Sequence, residues 1–160
     1  MSDLKETVLE AALDHVPFDG WSEATLAAAI EDTGADPGAV RAIYPRGAVD
    51  LALAFHRRGD AEMVARLERE DLDAMKIRDK ITHAVRLRLD LMEGRKEAVR
   101  RGTTLFALPI HAADGARALW ETADAIWTAI CDSSDDINWY TKRMTLSGVY
   151  SATVLFWLGD

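Results

Sequence analysis

The side chains that most often perform catalysis or bind metals are few in this sequence and are poorly spaced for either role. The histidines are His15, His56, His83 and His111. None has a carboxylate three residues before it, so the Glu-x-x-His pattern of di-iron bundles is absent. No His or Cys pair has zinc spacing, and the glycines form neither a P-loop nor a dinucleotide fingerprint. We therefore predict a protein that is not an enzyme and has no metal or cofactor.

The cysteine content and the N-terminus both bear on the cellular compartment. Cys131 is the only cysteine, which rules out an internal disulfide and favours a reducing compartment. The N-terminus is acidic and helical in pattern, unlike a signal or transit peptide. The apolar run 144–158 is shorter than the roughly 18–20 residues that span a bilayer. We expect a cytoplasmic protein.

The elements that must position any site are helices. Apolar residues recur at helical spacing along almost the whole chain, and no period-two alternation competes with them. We predict an all-α fold and, at 160 residues, a single domain. Ser22 and Asp36 are expected N-caps, and Pro109 either opens a helix or kinks one. The predicted helices cover residues 4–16, 22–34, 37–44, 48 into the seventies, 78–92, 96–108, 109–131 and 137–158.

Residues 22–51 have the rhythm of a helix-turn-helix, with Gly34 at the turn. This module resembles the N-terminal part of TetR-type regulators, so we predict a TetR-like bundle with this module in residues 1–50. DNA binding needs cations, yet residues 1–50 carry three cations against ten acids. The second helix offers only Arg41 for reading bases. We expect no nucleic-acid partner, although a ligand-responsive TetR-type transcription regulator is the leading alternative function.

Residues 51–160 are predicted to form the helical part that binds lipid and forms the dimer, and residues 105–158 within it hold most of the large aromatic side chains. Trp120 and Trp127 are seven residues apart and share one helical face, which forms either ordinary core or the wall of a cavity for an apolar ligand. The last helix is apolar on nearly all sides in its second half, so it must be buried within the domain or against a second copy. We therefore expect a homodimer.

The segment "WTAICDSSDDINWYTKR", from Trp127 to Arg143, closely resembles the signature of the Coq nine family of lipid-binding accessory proteins in ubiquinone biosynthesis. "HVPFDGWS" and "YPRGAVDLALAFHRRGD" also resemble that family, so the similarity extends over nearly the whole chain. Cys131 stands where the family usually has glycine. The matching positions are Trp127, Asp132, Ser134, Asp136, Asn138, Trp139, Tyr140, Thr141 and Arg143.

The resemblance implies a TetR-like fold that holds an isoprenoid quinone or other lipid and presents it to the di-iron demethoxyquinone hydroxylase called Coq seven. It implies that Trp139 and Tyr140 bind this partner, with Arg143, Ile126 and Trp127 beside them. Trp, Tyr and Arg are common interface hot spots. A capped helix start, with Asp136 as N-cap and both aromatics packing inward, explains the same spacing. The expected lipid-binding residues are Phe106, Trp120, Trp127, Met144 and Tyr150.

Family members usually continue beyond the position of Asp160 into an amphipathic helix that touches the membrane. Contact with a membrane surface is therefore expected through a C-terminal helix that this sequence does not include. The expected location is the cytoplasm, peripheral to the inner face of a bacterial membrane.

Overall fold

The structure, a computed structural model, describes residues 2–130 and 138–159. These residues form helices joined by turns, with no β-strand among them. The all-α prediction is therefore confirmed. The helices are α1 (Ser2–Leu13), α2 (Val16–Asp19), α3 (Glu23–Thr33), α4 (Pro37–Ile43), α5 (Ala48–Glu68), α6 (Ile77–Asp90), α7 (Lys96–Ala107), α8 (Ala112–Ala129) and α9 (Asn138–Gly159).

The helix starts that the sequence marks most clearly lie where predicted. The backbone N–H of Thr25 donates to Ser22 Oγ at 3.3 Å, which caps α3. Similarly, the N–H of Ala39 donates to Asp36 Oδ2 at 2.9 Å at the start of α4. Gly34 ends α3 in the left-handed region, with φ of 66°, a conformation that glycine adopts without a steric penalty.

Two helix ends and one helix start differ from the prediction. The first helix stops at Leu13 because Pro17 has no N–H for the Leu13 carbonyl, and the chain restarts as α2 with Pro17 in its first turn. α5 ends at Glu68, before a charged turn in which the N–H of Asp73 donates to Asp71 Oδ1 at 3.1 Å. Pro109 opens a 3-10 turn that leads into α8.

The contacts within the chain form two compact units. The first contains Met1–His56 and Arg95–Ala112, and its apolar core includes Val8, Leu26 and Leu51. Tyr44 fixes α1 by donating from its hydroxyl to the Lys5 carbonyl at 2.8 Å. The division of the chain into one domain with a module at 1–50 stays a prediction.

The second unit contains Arg57–Gly94 and Ala113–Asp160, and it has charged side chains in its interior. Arg88 Nε donates to Asp60 Oδ1 at 2.8 Å, and the Thr122 hydroxyl lies 2.9 and 3.0 Å from the two Asp60 oxygens. Arg88 is completely buried. Burial raises the pKa of the neighbouring Tyr150, the nearby Asp60 charge adds to this shift and the Arg88 charge opposes it. The hydrogen bonds of this polar network therefore link α5, α6 and α8, and Tyr150 of α9 is buried close enough to feel the charges of Asp60 and Arg88.

Candidate docking and lipid-binding sites

Three aromatic side chains meet where α8 and the first turn of α9 pack together. The Trp120 ring centroid lies 5.9 Å from that of Trp139 and 5.6 Å from that of Tyr140. Trp139 and Tyr140 are 4.9 Å apart and meet edge to face, a geometry that aromatic pairs prefer. We call these three residues the aromatic cluster. Both tryptophans are half-buried and Tyr140 is 65% exposed, so the cluster presents large apolar area at the surface.

Arg143 lies behind the aromatic cluster and is turned toward its own chain. Its side chain is 2% exposed. The Arg143 Nε donates to Asp124 Oδ1 at 2.7 Å, and Nη1 donates to the Trp139 carbonyl at 3.1 Å. The guanidinium carbon also lies 4.0 Å from the Trp139 ring centroid, which is cation–π geometry. The structure thus gives Arg143 a role inside the site instead of at the partner-facing surface.

The other two residues predicted beside the partner surface are also buried. Ile126 is completely inaccessible and Trp127 is nearly so. The Trp127 indole N–H donates to the Lys142 carbonyl at 3.1 Å, and Lys142 Nζ lies 5.3 Å from the Trp127 ring centroid. Trp127 therefore ties α8 to α9 beneath the surface.

A largely apolar groove of about 460 Å³ opens beside Trp127. Grooves of this size are in the range that binds small ligands. Lys142 supplies a cation to its lining. The principal lining residues are Ile81 of α6, Trp127 of α8, and Thr141, Thr145, Leu146 and Val149 of α9.

The predicted lipid-binding residues are not brought to one place. Trp127 lines the groove, whereas Trp120 belongs to the aromatic cluster and Tyr150 is buried in the polar network. Met144 is exposed on α9. Phe106 belongs to the first unit, where it packs against that unit's core.

The outer side of α9 is unusually apolar for an exposed helix surface. Met144, Val149, Leu155 and Phe156 are all more than half exposed, with Phe156 at 81%. The run 144–158 contains no charged residue. Exposed apolar surfaces of this kind mark contacts with other molecules. No helix in the described ranges is long and apolar enough to cross a membrane.

Asp124 is the site residue that sequence reasoning missed. It lies 19 residues before Arg143, and no local pattern pairs the two. The available signal was its position four residues after Trp120, because residues at i and i+4 share a helical face. Several residues of the family signature, including Cys131, Asp132, Ser134 and Asp136, lie outside the described residues, and so does the predicted Asp136 cap.

Arg41, the side chain predicted to read bases in the predicted helix-turn-helix segment, is paired with an acid. Arg41 Nη2 donates to Glu23 Oε2 at 3.0 Å, so a cation of α4 is paired with an acid of α3. Across residues 2–130 and 138–159, no three His, Cys, Asp or Glu residues gather in a way that could hold a metal ion.

Comparison with known proteins identifies one family at both ends of the chain. A model described as COQ9 matches residues 112–160, and a model of the N-terminal domain of ubiquinone biosynthesis protein COQ9 matches residues 2–30. The Drosophila melanogaster protein named mitochondrial ubiquinone biosynthesis protein COQ9 is 29% identical over 98% of this chain and 49% of its own length. The Homo sapiens protein of that name is 26% identical over 98% of this chain and 51% of its own length.

These relatives confirm the resemblance seen in the sequence signature and correct one prediction. The chain spans about half the length of the curated relatives it matches. The relatives are named as mitochondrial proteins. The prediction of a cytoplasmic protein, peripheral to the inner face of a bacterial membrane, is therefore wrong.

Proposed function

The chain belongs to the COQ9 family, and we propose that it acts in ubiquinone biosynthesis as a non-catalytic accessory protein. In this proposal it binds an isoprenoid quinone or a related lipid and presents it to the di-iron demethoxyquinone hydroxylase. The relatives are named for ubiquinone biosynthesis, which supports the pathway. The partner and the lipid are proposed from the family signature together with the two surfaces of the second unit.

The observation that carries the proposal is the exposed aromatic cluster. Trp139 and Tyr140 lie side by side in the first turn of α9, and Trp120 packs on both of them. Trp and Tyr dominate binding energy at protein interfaces because they bring large area and a polar group at little entropic cost. A half-buried tryptophan beside a 65% exposed tyrosine offers such an anchor. We assign the hydroxylase contact to this cluster.

The groove beside Trp127 is the proposed place for the lipid. Its lining is mostly apolar, so a prenyl or acyl chain would leave water there at a gain of about 0.8 kcal/mol per buried CH₂. Trp127 contributes to the groove, and its indole N–H is already bonded to the Lys142 carbonyl. The ring can therefore face a hydrocarbon chain without leaving its own donor unsatisfied.

A second copy of this chain is the proposed cover of the exposed outer side of α9. The large side chains Met144, Val149, Leu155 and Phe156 lie there in an uncharged run. Small residues, Gly148 and Ala152, are also exposed on this helix and permit close approach of a second helix. The absence of charge in the run suits a helix–helix contact between identical surfaces, because no like charges would be brought together.

The leading alternative, a TetR-type transcription regulator, has less support. DNA affinity comes mainly from cations that neutralise phosphates, and residues 1–50 carry an excess of seven acids. Arg41, the predicted base-reading residue, is bonded to Glu23. The helix-turn-helix module is accordingly proposed to serve the fold.

The test is a titration of the chain with purified hydroxylase. Trp139→Ala is expected to weaken the complex by at least about 2 kcal/mol, or roughly 30-fold in Kd, as for an interface hot spot. Phe18→Ala is the control, because Phe18 is an exposed aromatic residue of the first unit, outside the aromatic cluster. Circular dichroism checks that both variants are folded. Equal affinities for the wild type and Trp139→Ala would remove the aromatic cluster from the proposal.

A further inference from the structure

We propose that Asp124 and Arg143 are positioning residues of the aromatic cluster, which fix the indole of Trp139 in the orientation that a partner meets. They act through the ring and do not themselves touch the partner. This inference rests on the proposed docking function and deepens it. It reassigns Arg143 from a surface contact to an internal one and adds Asp124 to the site.

Arg143 holds Trp139 at two points. Its guanidinium covers one face of the indole, with the carbon 4.0 Å from the ring centroid. Its Nη1 donates to the Trp139 carbonyl at 3.1 Å, so the same group contacts the backbone and the ring of one residue. Because the guanidinium is planar and has donors on several edges, it can stack and donate at the same time. A lysine ammonium has no such plane.

Asp124 in turn holds Arg143. Its Oδ1 accepts from Arg143 Nε at 2.7 Å, a short charge-assisted bond. The arginine side chain is 2% exposed and the aspartate side chain 44% exposed, so water screens the arginine end of this pair weakly. Asp124 lies on α8 and Arg143 on α9. The pair therefore sets the orientation of Trp139 relative to α8, which also carries Trp120.

Fixing the ring matters because binding is weakened by every side chain that must be ordered when the partner arrives. Ordering one such side chain costs about 0.5–1.5 kcal/mol. An indole that already contacts both Trp120 and Arg143 avoids most of that loss. Freeing it should weaken the complex by about 2- to 12-fold. This effect is smaller than that of removing the ring itself.

A pair that merely stabilised the fold would behave differently. Its loss would lower the free energy of unfolding, but in the folded protein the Trp139 ring would keep its environment and the partner would bind with unchanged affinity. A control for this distinction lies one turn away on α8. Glu121 makes an ion pair with Arg57 of α5, with Nε to Oε2 at 3.1 Å and Nη2 to Oε1 at 3.3 Å.

The experiment combines two readouts on folded Asp124→Ala, Glu121→Ala and wild-type protein. The first is the ¹⁵N–¹H resonance of the Trp139 indole, assigned with Trp139→Phe. The second is the titration with purified hydroxylase. We expect Asp124→Ala to move the Trp139 resonance and weaken binding 2- to 12-fold, and Glu121→Ala to change neither. Asp124→Glu keeps the carboxylate and should therefore recover part of the wild-type resonance position and part of the wild-type affinity. Arg143→Lys should behave like Asp124→Ala.

The two readouts separate this inference from the docking proposal. An unmoved indole resonance in Asp124→Ala, or undiminished affinity for the hydroxylase, overturns the positioning role while docking itself stands. If the wild type does not bind the hydroxylase at all, the docking proposal fails first. Asp124→Asn serves as the second variant if the alanine protein does not fold, because it keeps the size of the side chain and one acceptor oxygen while removing the charge.

Discussion

Replacing Asp60 by alanine is expected to destabilise the protein far more than replacing an acid of a surface ion pair. Asp60 accepts from Arg88 Nε at 2.8 Å and from the Thr122 hydroxyl, all inside the second unit. The Arg88 side chain is 0% exposed. Alanine would leave that guanidinium buried without the carboxylate that balances its charge, because water cannot reach it.

The expected loss in the free energy of unfolding is about 3–5 kcal/mol, the usual cost of removing one partner of a buried ion pair. Stabilities of natural domains are only about 5–15 kcal/mol, so this loss is a large fraction of the total. The size of the effect comes from the uncompensated charge more than from the lost bonds. Replacing both partners, as Asp60→Leu with Arg88→Met, should therefore recover most of the stability.

Urea unfolding followed by circular dichroism measures this free energy, with the slope checked for each variant. The matched control is Glu121→Ala, which removes the acid of the Arg57–Glu121 pair in the same unit. Arg57 and Glu121 are 51% and 35% exposed, so this loss should be about 0.2–1 kcal/mol. If Asp60→Ala cost no more than that control, the assignment of Arg88 as a buried charge that depends on Asp60 would be refuted.

Two further predictions concern a close packing contact and a surface pair. Gly59→Ala should destabilise the protein by about 1–3 kcal/mol in urea unfolding because its Cβ would overlap the Arg88 guanidinium. The control is Gly102→Ala inside α7, because its Cβ would lie at an ordinary contact distance of 3.6 Å from Trp21 Nε1, and it should be neutral or stabilising by up to about 1 kcal/mol. The pKa of His15 is raised above 6.5, chiefly by its hydrogen bond with Asp32. Protonated His15 therefore stabilises the fold fully below pH 6.5, and this contribution is lost as pH rises through the folded-state pKa. An NMR titration should show a lower His15 pKa in Asp32→Asn, and an unchanged value would contradict this account.

The helices could be predicted where the deciding interaction is local. Ser22 and Asp36 cap the helices that directly follow them, so residue type and position were enough. The end of α1 at Leu13 also has a local cause, because Pro17 lies four residues on and lacks the donor that a continuous helix needs, but the predicted helix continued to residue 16. The end of α5 was harder to predict, because a charged segment is compatible with both a helix and a turn.

The interior of the second unit could not be predicted in this way. Arg88 and Arg143 are arginines, which are almost never fully buried unless they are paired, and each finds its acid far along the chain. Asp60 precedes Arg88 by 28 residues and Asp124 precedes Arg143 by 19. Only the packing of the helices brings these partners together. The family resemblance pointed to Arg143, but only the structure shows that its side chain is buried and bonded to Asp124.

Native mass spectrometry of this chain mixed with purified hydroxylase and a micellar isoprenoid quinone tests the proposed lipid presentation directly. We expect a complex that contains both proteins and two copies of this chain, and that retains the mass of the quinone. We also expect Trp139→Ala to keep the quinone while losing the hydroxylase. A spectrum in which the chain carries no lipid and forms no complex with the hydroxylase would contradict the account.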